Sequence, residues 1–351
     1  MTLALHLDTP RDWDALGAAW EALEARAEGS VFQGWGWVGC LAAERYDAPL
    51  LVRAEAGGAC VGLALFNRAG GALHLHESGD PARDRPFIEH NGPLVARGAP
   101  QGTRAAMLAA ALRAAGGGGL RLSGVAAGLP AEAGGAVWHA RLRPAPWVDL
   151  DAVRAAGGEW LATLSANARA QMRRSDRLIA EAGPIAAQEA TTAVEAGRFL
   201  EELIALHAAR WNGRGEGGAF ATPFLRRFHE ALVQRLLVRG MLEMLRVTAG
   251  GSLVGLLYNL RQGGMVSAYQ SGWAAAEDRQ RKPGLACHHQ AIRRALARGD
   301  RGYDFLAGEA RYKTSLANAS RDLAWAAVVP RLSLRGMAAR LTRRDGLARE
   351  P

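Results

Sequence analysis

RQRKPGLACHHQAIRRALARGDRGYDFLAGEARYK, residues 279–313, divides into a basic turn, a helix and a short buried strand. Pro283 and Gly284 open the helix, because proline suits a first turn where its missing N–H costs nothing. Ala286, Ile292, Ala295 and Leu296 form an apolar stripe at helical spacing. Gly299 ends the helix as a left-handed cap, with Arg293, Arg294 and Arg298 in the last turns, where cations suit the helix dipole. Tyr303, Asp304, Phe305 and Leu306 then read as a strand that stops at Ala307 and Gly308. The turn Arg281-Lys282-Pro283-Gly284-Leu285-Ala286 has the form R-x-x-G-x-A at a helix start. Unpaired N–H groups and the positive end of the dipole favour an anion there. Gly284 would let a diphosphate approach the backbone, and Arg281 and Lys282 add charge. An ordinary capped surface helix has the same pattern, so the rest of the chain must decide.

A chain of 351 residues exceeds what one core usually serves, so two domains are expected. Hydrophobic content of 49% with 22% charged residues is that of a globular protein. A net charge of +9 and a pI near 10.2 favour anionic partners: nucleotide cofactors, nucleic acid, acidic glycans or a lipid surface. Arginine almost replaces lysine. Lys282 and Lys313 alone remain, both in the opening stretch, which suggests that these positions need an ammonium. Cys40, Cys60 and Cys287 show neither even pairing nor metal spacing, so reduced thiols in a cytoplasmic protein are expected. No stretch has the pattern of a membrane span or a signal peptide.

In chain order, residues 3–7 alternate like a strand, and Thr9-Pro10 starts a helix carrying Trp13, Leu16, Trp20 and Leu23. Residues 31–46 predict a second helix, rich in tryptophan that belongs to the core. Strands follow at 50–55, 60–67 and 72–76. The second half repeats this unit: RAEAGGACVGLALFNRAGGALHLHESG (53–79) aligns without a gap to RVTAGGSLVGLLYNLRQGGMVSAYQSG (246–272). Each copy continues into a helix (101–115; 284–298) and a strand (120–123; 303–306). The implied fold is α/β (α+β), two copies of one unit on a mostly antiparallel sheet. The first copy lacks the R-x-x-G-x-A turn. Residues 77–100 form a polar insertion instead, whose Asp80, Asp84, Glu89, His90 and Asn91 are expected to be solvated loop residues. Residues 147–151 read as a strand closing the first copy. Residues 164–183 read as a basic helix or a loop followed by a helix, with Arg169, Arg173 and Arg177 in one stripe. Helices follow at 193–211 and 223–239, joined by a flexible loop at 213–218 suited to closing over a ligand. A further strand at 323–329 precedes a basic tail from residue 332, which would form either a frayed helix in water or an amphipathic helix on anionic lipid.

The order of the second half, with FQGWGWV (32–38), ARAQMRRSDRLIAEAG (168–183), LHAARWNGRG (206–215), Pro283-Gly284 and YDFLAGEARYK (303–313), resembles the GNAT acyl-CoA N-acyltransferases. More narrowly it resembles the tandem-GNAT CelD/BcsL-type acetyltransferases, relatives of the FemAB peptidyltransferases. The resemblance covers most of residues 30–325. The tryptophan that such sequences often carry just after the Tyr-Lys pair is missing from SLANASRDL (315–323). The resemblance implies two tandem GNAT-like domains, each a twisted sheet flanked by helices: 1–151, without a cofactor site; 152–330, with an acyl-CoA site; and a tail, 331–351. It implies acetyl-CoA or another acyl-CoA as co-substrate, its diphosphate on backbone N–H groups of Lys282 to Leu285, with Ala286 completing the turn. The pantetheine arm would run beside Ala268 to Ser271, and a backbone N–H near Gln270, Ser271 or Gly272 would polarise the thioester carbonyl. A small-molecule or glycan-precursor amine would attack directly.

The candidates for proton transfer and positioning are Tyr312, Asp304, Glu309, His207 and Lys313. Tyr312 would protonate the leaving thiolate or serve as an interface tyrosine. Asp304 would be a base or half of an ion pair with Arg311 or Lys313. Glu309 would orient the amine. His207 would be a base or a core histidine. Trp211, Arg169 and Arg173 are candidates for holding the acceptor. Cys287-His288-His289 is rejected as a metal site, because consecutive helical residues point about 100° apart. The alternatives are an aminoacyl-tRNA-dependent ligase, whose RNA phosphates the arginine stripe would serve, and a non-catalytic partner in polysaccharide assembly. A cytoplasmic location, peripheral to the inner membrane, fits each of them.

Overall fold

The computed structural model describes residues 2–211, 218–276, 278, 280–341 and 348–349. The first half runs β1 (Leu3–Asp8), α1 (Trp13–Glu24), β2 (Pro49–Ala56), β3 (Ala59–Ala69), β4 (Ala72–Leu75), β5 (Leu94–Val95), α2 (Thr103–Ala115), β6 (Leu120–Ala126) and β7 (Ala136–Asp149). The second runs α3 (Ala166–Ala180), β8 (Ile185–Glu189), α4 (Ala193–Trp211), α5 (Pro223–Leu237), β9 (Leu242–Ala249), β10 (Ser252–Gln262), β11 (Met265–Trp273), α6 (Pro283–Arg298), β12 (Gly302–Asp304), α7 (Arg311–Leu316), β13 (Ala319–Val329), α8 (Leu334–Leu341) and β14 (Ala348–Arg349). The fold is therefore the mixed α/β architecture expected, with helices flanking mostly antiparallel sheet.

Two compact units emerge, residues 1–143 with 322–351, and residues 144–321. In the first, the strand order is β1-β2-β3-β4-β6-β13-β7; in the second it is β8-β9-β10-β11-β12 with the end of β7. Among the described residues, the pairings within each order are antiparallel except one per unit: β4 with β6, and β11 with β12. The sequence-based limits at 151 and 330 thus differ from the observed ones. Trp147, Val148 and Asp149 pair with Asp304, Tyr303 and Gly302 of β12, so they close the second sheet and not the first. Leu323 to Val328 pair with β6 and complete the first. Each copy is finished by a strand that follows the other copy in the chain.

The internal repeat is visible in the backbone. Gly57-Gly58 and Gly70-Gly71 have φ of 59°, 77°, 54° and 77°; Gly250-Gly251 and Gly263-Gly264 have 55°, 86°, 58° and 76°. Paired positive φ values make tight hairpin turns that match strand twist, and only glycine adopts them without cost. Both copies also share a bulge that spacing did not reveal. Val61 is skipped between the pairs Ala54–Gly62 and Glu55–Cys60, and Val254 between Thr248–Leu253 and Val247–Gly255. Residues 31–46 are not one helix. A 3-10 turn and two four-residue helices replace it, broken at Leu41 with φ 50°. Its aromatics are core as expected, with Phe32 and Trp37 fully buried.

The insertion of the first copy is not solvated throughout. Glu89 and Asn91 are buried. Asn91 Nδ2 donates to the carbonyls of Leu75 (3.1 Å) and Ser123 (3.2 Å), and its N–H donates to Gly124 O (3.0 Å). It thereby bridges the ends of β4 and β6 beyond their two paired residues, Leu73–Leu120 and His74–Arg121. A Cβ on Gly124 would lie 2.1 Å from Ile88 O, so the loop rests directly on the β6 backbone.

Among the described residues no helix is long and apolar enough to cross a membrane.

Candidate functional site

In the second unit, β11 pairs with β10 along its length, from Met265–Gln262 to Trp273–Gly255. Its pairing with β12 covers only Met265–Gly302, Val266–Tyr303 and Ser267–Asp304. Beyond Ser267 the two parallel strands part, and Tyr269 forms a bulge between the pairs Tyr258–Gln270 and Asn259–Ala268. Gln270, Ser271 and Gly272 follow this bulge. His207 of α4 reaches the same stretch: its Nε2 lies 2.7 Å from Ser271 O. A carbonyl only accepts, so Nε2 carries the proton and His207 anchors β11. A Cβ on Gly272 would lie 2.8 Å from Leu206, which shows how closely α4 covers the strand.

The turn into α6 borders a cleft of about 290 Å³, lined by Ile179, Ser252, Val254, Ala275, Arg281 and Pro283 among others. Its polar groups are partly committed. The Lys282 N–H donates to Ser175 Oγ (3.0 Å), which donates back to Lys282 O (3.1 Å). Pro283 has no N–H, and Leu285 and Ala286 both donate to Lys282 O. Of the backbone donors expected from Lys282 to Leu285, Gly284 N–H is the one without a partner among the described residues. Arg281 pairs with Glu181 at 2.9 Å, and Lys282 Nζ donates to Gln171 at 3.0 Å. Gly284 also has a use that its spacing did not suggest. A Cβ there would lie 3.1–3.3 Å from the Trp273 indole, so the missing side chain first makes room for that ring.

The residues after β12 form a third group. Asp304 is 1% exposed and accepts from Leu306 N–H (2.7 Å) and from Arg321 (3.0 Å). Its cationic partner is thus Arg321, rather than the Arg311 or Lys313 suggested by proximity in sequence. The strand register brings Arg321 there, and its guanidinium also lies 4.7 Å from the Trp147 ring centroid. Lys313 Nζ donates to Leu306 O (3.1 Å) and Ala307 O (2.8 Å). Leu306 holds φ 61°, a conformation costly for a leucine, and the ammonium ties that turn down. Glu309 is exposed.

Tyr312, 39% exposed, stacks on His288 with centroids 5.5 Å apart and planes at 19°. His288 is the residue that sequence reasoning passed over. It sits among Trp273, Tyr303, Phe305 and Tyr312, with Nδ1 2.9 Å from the Tyr303 hydroxyl. Burial, with the Lys313 charge adding to it, pushes His288 down to about 3, so its ring is neutral. Burial also holds the Tyr303 hydroxyl well above its usual range. His288 Nε2 is buried without a partner among the described residues. The available signal was its position four residues after Gly284, on the same helical edge. Cys287 is buried, with its thiol pushed up, and His289 turns instead to Asp176 at 2.6 Å. The three neighbours point to different surroundings, and no metal-holding cluster exists among the described residues.

Arg169, Arg173 and Arg177 lie on α3 and have no carboxylate partner among the described residues; Arg173 and Arg177 are exposed and Arg169 half-buried. The Trp211 side chain and residues 213–217 of the expected loop lie outside the described residues.

Residues 166–314 match the family described as Acetyltransferase (GNAT) domain. No curated protein matches the chain. Among solved structures, the C-terminal domain of a candidate lysylphosphatidylglycerol synthetase from Agrobacterium fabrum has 12% identity and a TM-score of 0.58, covering 95% of both chains. L-PGS from Bacillus licheniformis has 14% identity and a TM-score of 0.57, covering 93% of this chain and 96% of its own. FemX has 11% identity and a TM-score of 0.57, covering 97% of this chain and 100% of its own. At such identities these likenesses show the fold alone. With the parted strands β11 and β12 and the basic turn into α6, the match over residues 166–314 makes the second unit a GNAT acetyltransferase domain and the protein an acyltransferase.

Proposed function

We propose that the protein transfers an acyl group from acetyl-CoA or another acyl-CoA to an amine of a sugar or cell-envelope polysaccharide precursor, in the manner of a CelD/BcsL-type enzyme. The observation that carries this reading is the parting of β11 from β12 beyond Ser267, and the basic turn into α6 borders a cleft with β10 and the residues just after β11. The donor's phosphates would meet Arg281, Lys282 and the Gly284 N–H. Its arm would lie along Ala268 to Gly272, and a main-chain N–H there would stabilise the developing oxyanion. The acceptor amine attacks the thioester carbon directly. Water takes the proton that leaves the amine, Tyr312, half-exposed against a neutral His288, gives its own to the departing thiolate, and water returns a proton to the phenolate. His207 holds the β11 backbone, and Asp304 and Lys313 hold the turn that presents Tyr312. Glu309 is exposed beside that turn and would orient the incoming amine. The first unit supplies acceptor surface and no donor site, because Asn91 fills the corresponding opening.

A second reading, an aminoacyl-tRNA-dependent ligase, is favoured by the bare arginine stripe on α3 and by the reduced number of backbone donors at the α6 turn. A thermal-shift comparison separates the two, because a ligand that binds only the folded state raises the melting temperature. Acetyl-CoA or a longer acyl-CoA is expected to stabilise the protein. Stabilisation by total tRNA with none by any acyl-CoA would replace the first reading with the second.

A further inference from the structure

His288 touches residues of both strands where β11 and β12 part. Its ring meets Trp273, the last residue of β11, and Tyr303, Phe305 and Tyr312, which belong to β12 or follow it. A chain of buried polar groups leads to it through the second unit. Asn259 of β10 and Glu243 of β9 are cross-strand partners, and both are fully buried. Asn259 Nδ2 donates to one Glu243 carboxylate oxygen at 2.8 Å, and Arg298 donates to the other at 2.8 Å. A carboxylate held by a guanidinium only accepts, so the end of Asn259 that meets it is the amide nitrogen. The same amide donates to the Tyr303 oxygen. The Tyr303 hydroxyl lies 2.9 Å from His288 Nδ1.

This chain decides which nitrogen of His288 carries the proton. Asn259 Oδ1 has no partner, so among the described residues the acceptor for Tyr303 O–H is His288 Nδ1. With Nδ1 accepting, the proton of the neutral ring sits on Nε2. The opposite tautomer would leave two buried groups unsatisfied, Tyr303 O–H and the Nε2 lone pair. The first leaves one, the Nε2 N–H. We infer that His288 is a positioning residue: Glu243, Asn259 and Tyr303 lock it as the Nε2–H tautomer, and its ring sets the plane of Tyr312 beside the parted strands. The two rings are stacked, with planes 19° apart. A ring tied at Nδ1 cannot flip, and the ring stacked on it shares that restraint. Neither nitrogen offers a free lone pair, so His288 does not take the proton of the attacking amine. The effect on Tyr312 rests on the acyl-transfer reading, whereas the lock on His288 does not.

Nuclear magnetic resonance of the full-length protein labelled with ¹⁵N at histidine tests the lock, because long-range nitrogen–proton correlations distinguish the two neutral tautomers. His288→Gln identifies the resonance. Wild type is expected to show His288 as Nε2–H alone, and Tyr303→Phe, which keeps the ring and removes the hydroxyl, to show a mixture. The rate of thiol release from acetyl-CoA, with water standing in for the amine, tests the positioning. Tyr303→Phe should lower kcat about tenfold, the size of one lost buried hydrogen bond, and leave KM unchanged. The Nδ1–H tautomer in wild type would overturn the inference, and that spectrum decides even where a variant fails to fold. So would a Tyr303→Phe protein with unchanged kcat, or one altered in KM alone. No thiol release by wild type beside a single Nε2–H tautomer would instead overturn the acyl-CoA reading and leave the lock standing.

Discussion

The two copies share turns, a bulge and strand order, yet they treat the opening beside their one parallel pair differently. Between β4 and β6, Asn91 spans the divergence with hydrogen bonds to both strands, and its loop covers Gly124. Between β11 and β12 no inserted loop follows the meander. There the chain turns through a short basic segment straight into α6. A parallel pair that splays exposes main-chain polar groups, and these must be satisfied by something. One copy satisfies them from within. In the other, His207 meets Ser271 O, and under the proposed function the remaining groups would meet the donor. On that reading duplication separates a sealed scaffold from a working half without altering the framework of either.

Acid should separate the copies most strongly. Burial lowers His229 and His288 in the second unit to about 3 each. In the unfolded chain such groups take up protons below about 6.5, so the stability they leave intact at neutral pH is lost as pH falls from there toward 3. In the first unit His76 behaves likewise, lowered to about 3, and His74 is lowered too. Glu77, however, is raised to about 7 by burial and by Asp84, and its contribution has the opposite sign, falling as pH rises from about 4.5 to 7. Between pH 6.5 and 4.5 the second unit should therefore lose on the order of 4 kcal/mol, more than the first. Hydrogen exchange of β10 against β3 amides over this range measures it. Equal loss in both would remove the distinction.

Asn91→Ala tests the seal itself. It strands two buried carbonyls and a buried His76 nitrogen, and should cost about 3 kcal/mol in urea unfolding of the first unit. A cost below about 0.5 kcal/mol, the level of an ordinary surface change, would mean that Asn91 does not close the gap.

Tyr312→Phe probes the open copy. It should lower kcat on the order of a hundredfold and leave the KM of the donor nearly unchanged, since the hydroxyl acts only as the thiolate departs. The smallest effect is expected at Gly284. An added methyl group would press on Trp273 and narrow the turn, so Gly284→Ala should weaken acyl-CoA about fivefold, a cost of about 1 kcal/mol. An unchanged affinity would mean that the phosphates do not lie on this turn.

Much of the framework was readable because glycine pairs are physically restrictive. Gly57-Gly58 and Gly250-Gly251 fix hairpins whatever surrounds them, so the register of the repeat followed from spacing. The helix at Pro283 to Arg298 was equally plain, from its proline start and Gly299 cap. What escaped depended on contacts distant in sequence. Nothing local in Trp147 to Asp149 says which sheet it joins. Asp304 finds Arg321 through strand register, not proximity. His288 looked like one of three equivalent polar neighbours, and only packing against Tyr312 sets it apart. Asn91 was read as solvated because polar insertions usually are, and its role exists only where two strands diverge.

The crossing of closing strands has a consequence for how the polypeptide is made. While the ribosome is still working, the leading half emerges with its sheet lacking β13, which is translated only after the second half. Its exposed β6 edge must wait, and naked strand edges invite partners from other chains. The leading half therefore cannot close its sheet before the second half has been made, whereas residues 144–321 hold every strand of their own unit, so a gene split between the two would leave the first product incomplete.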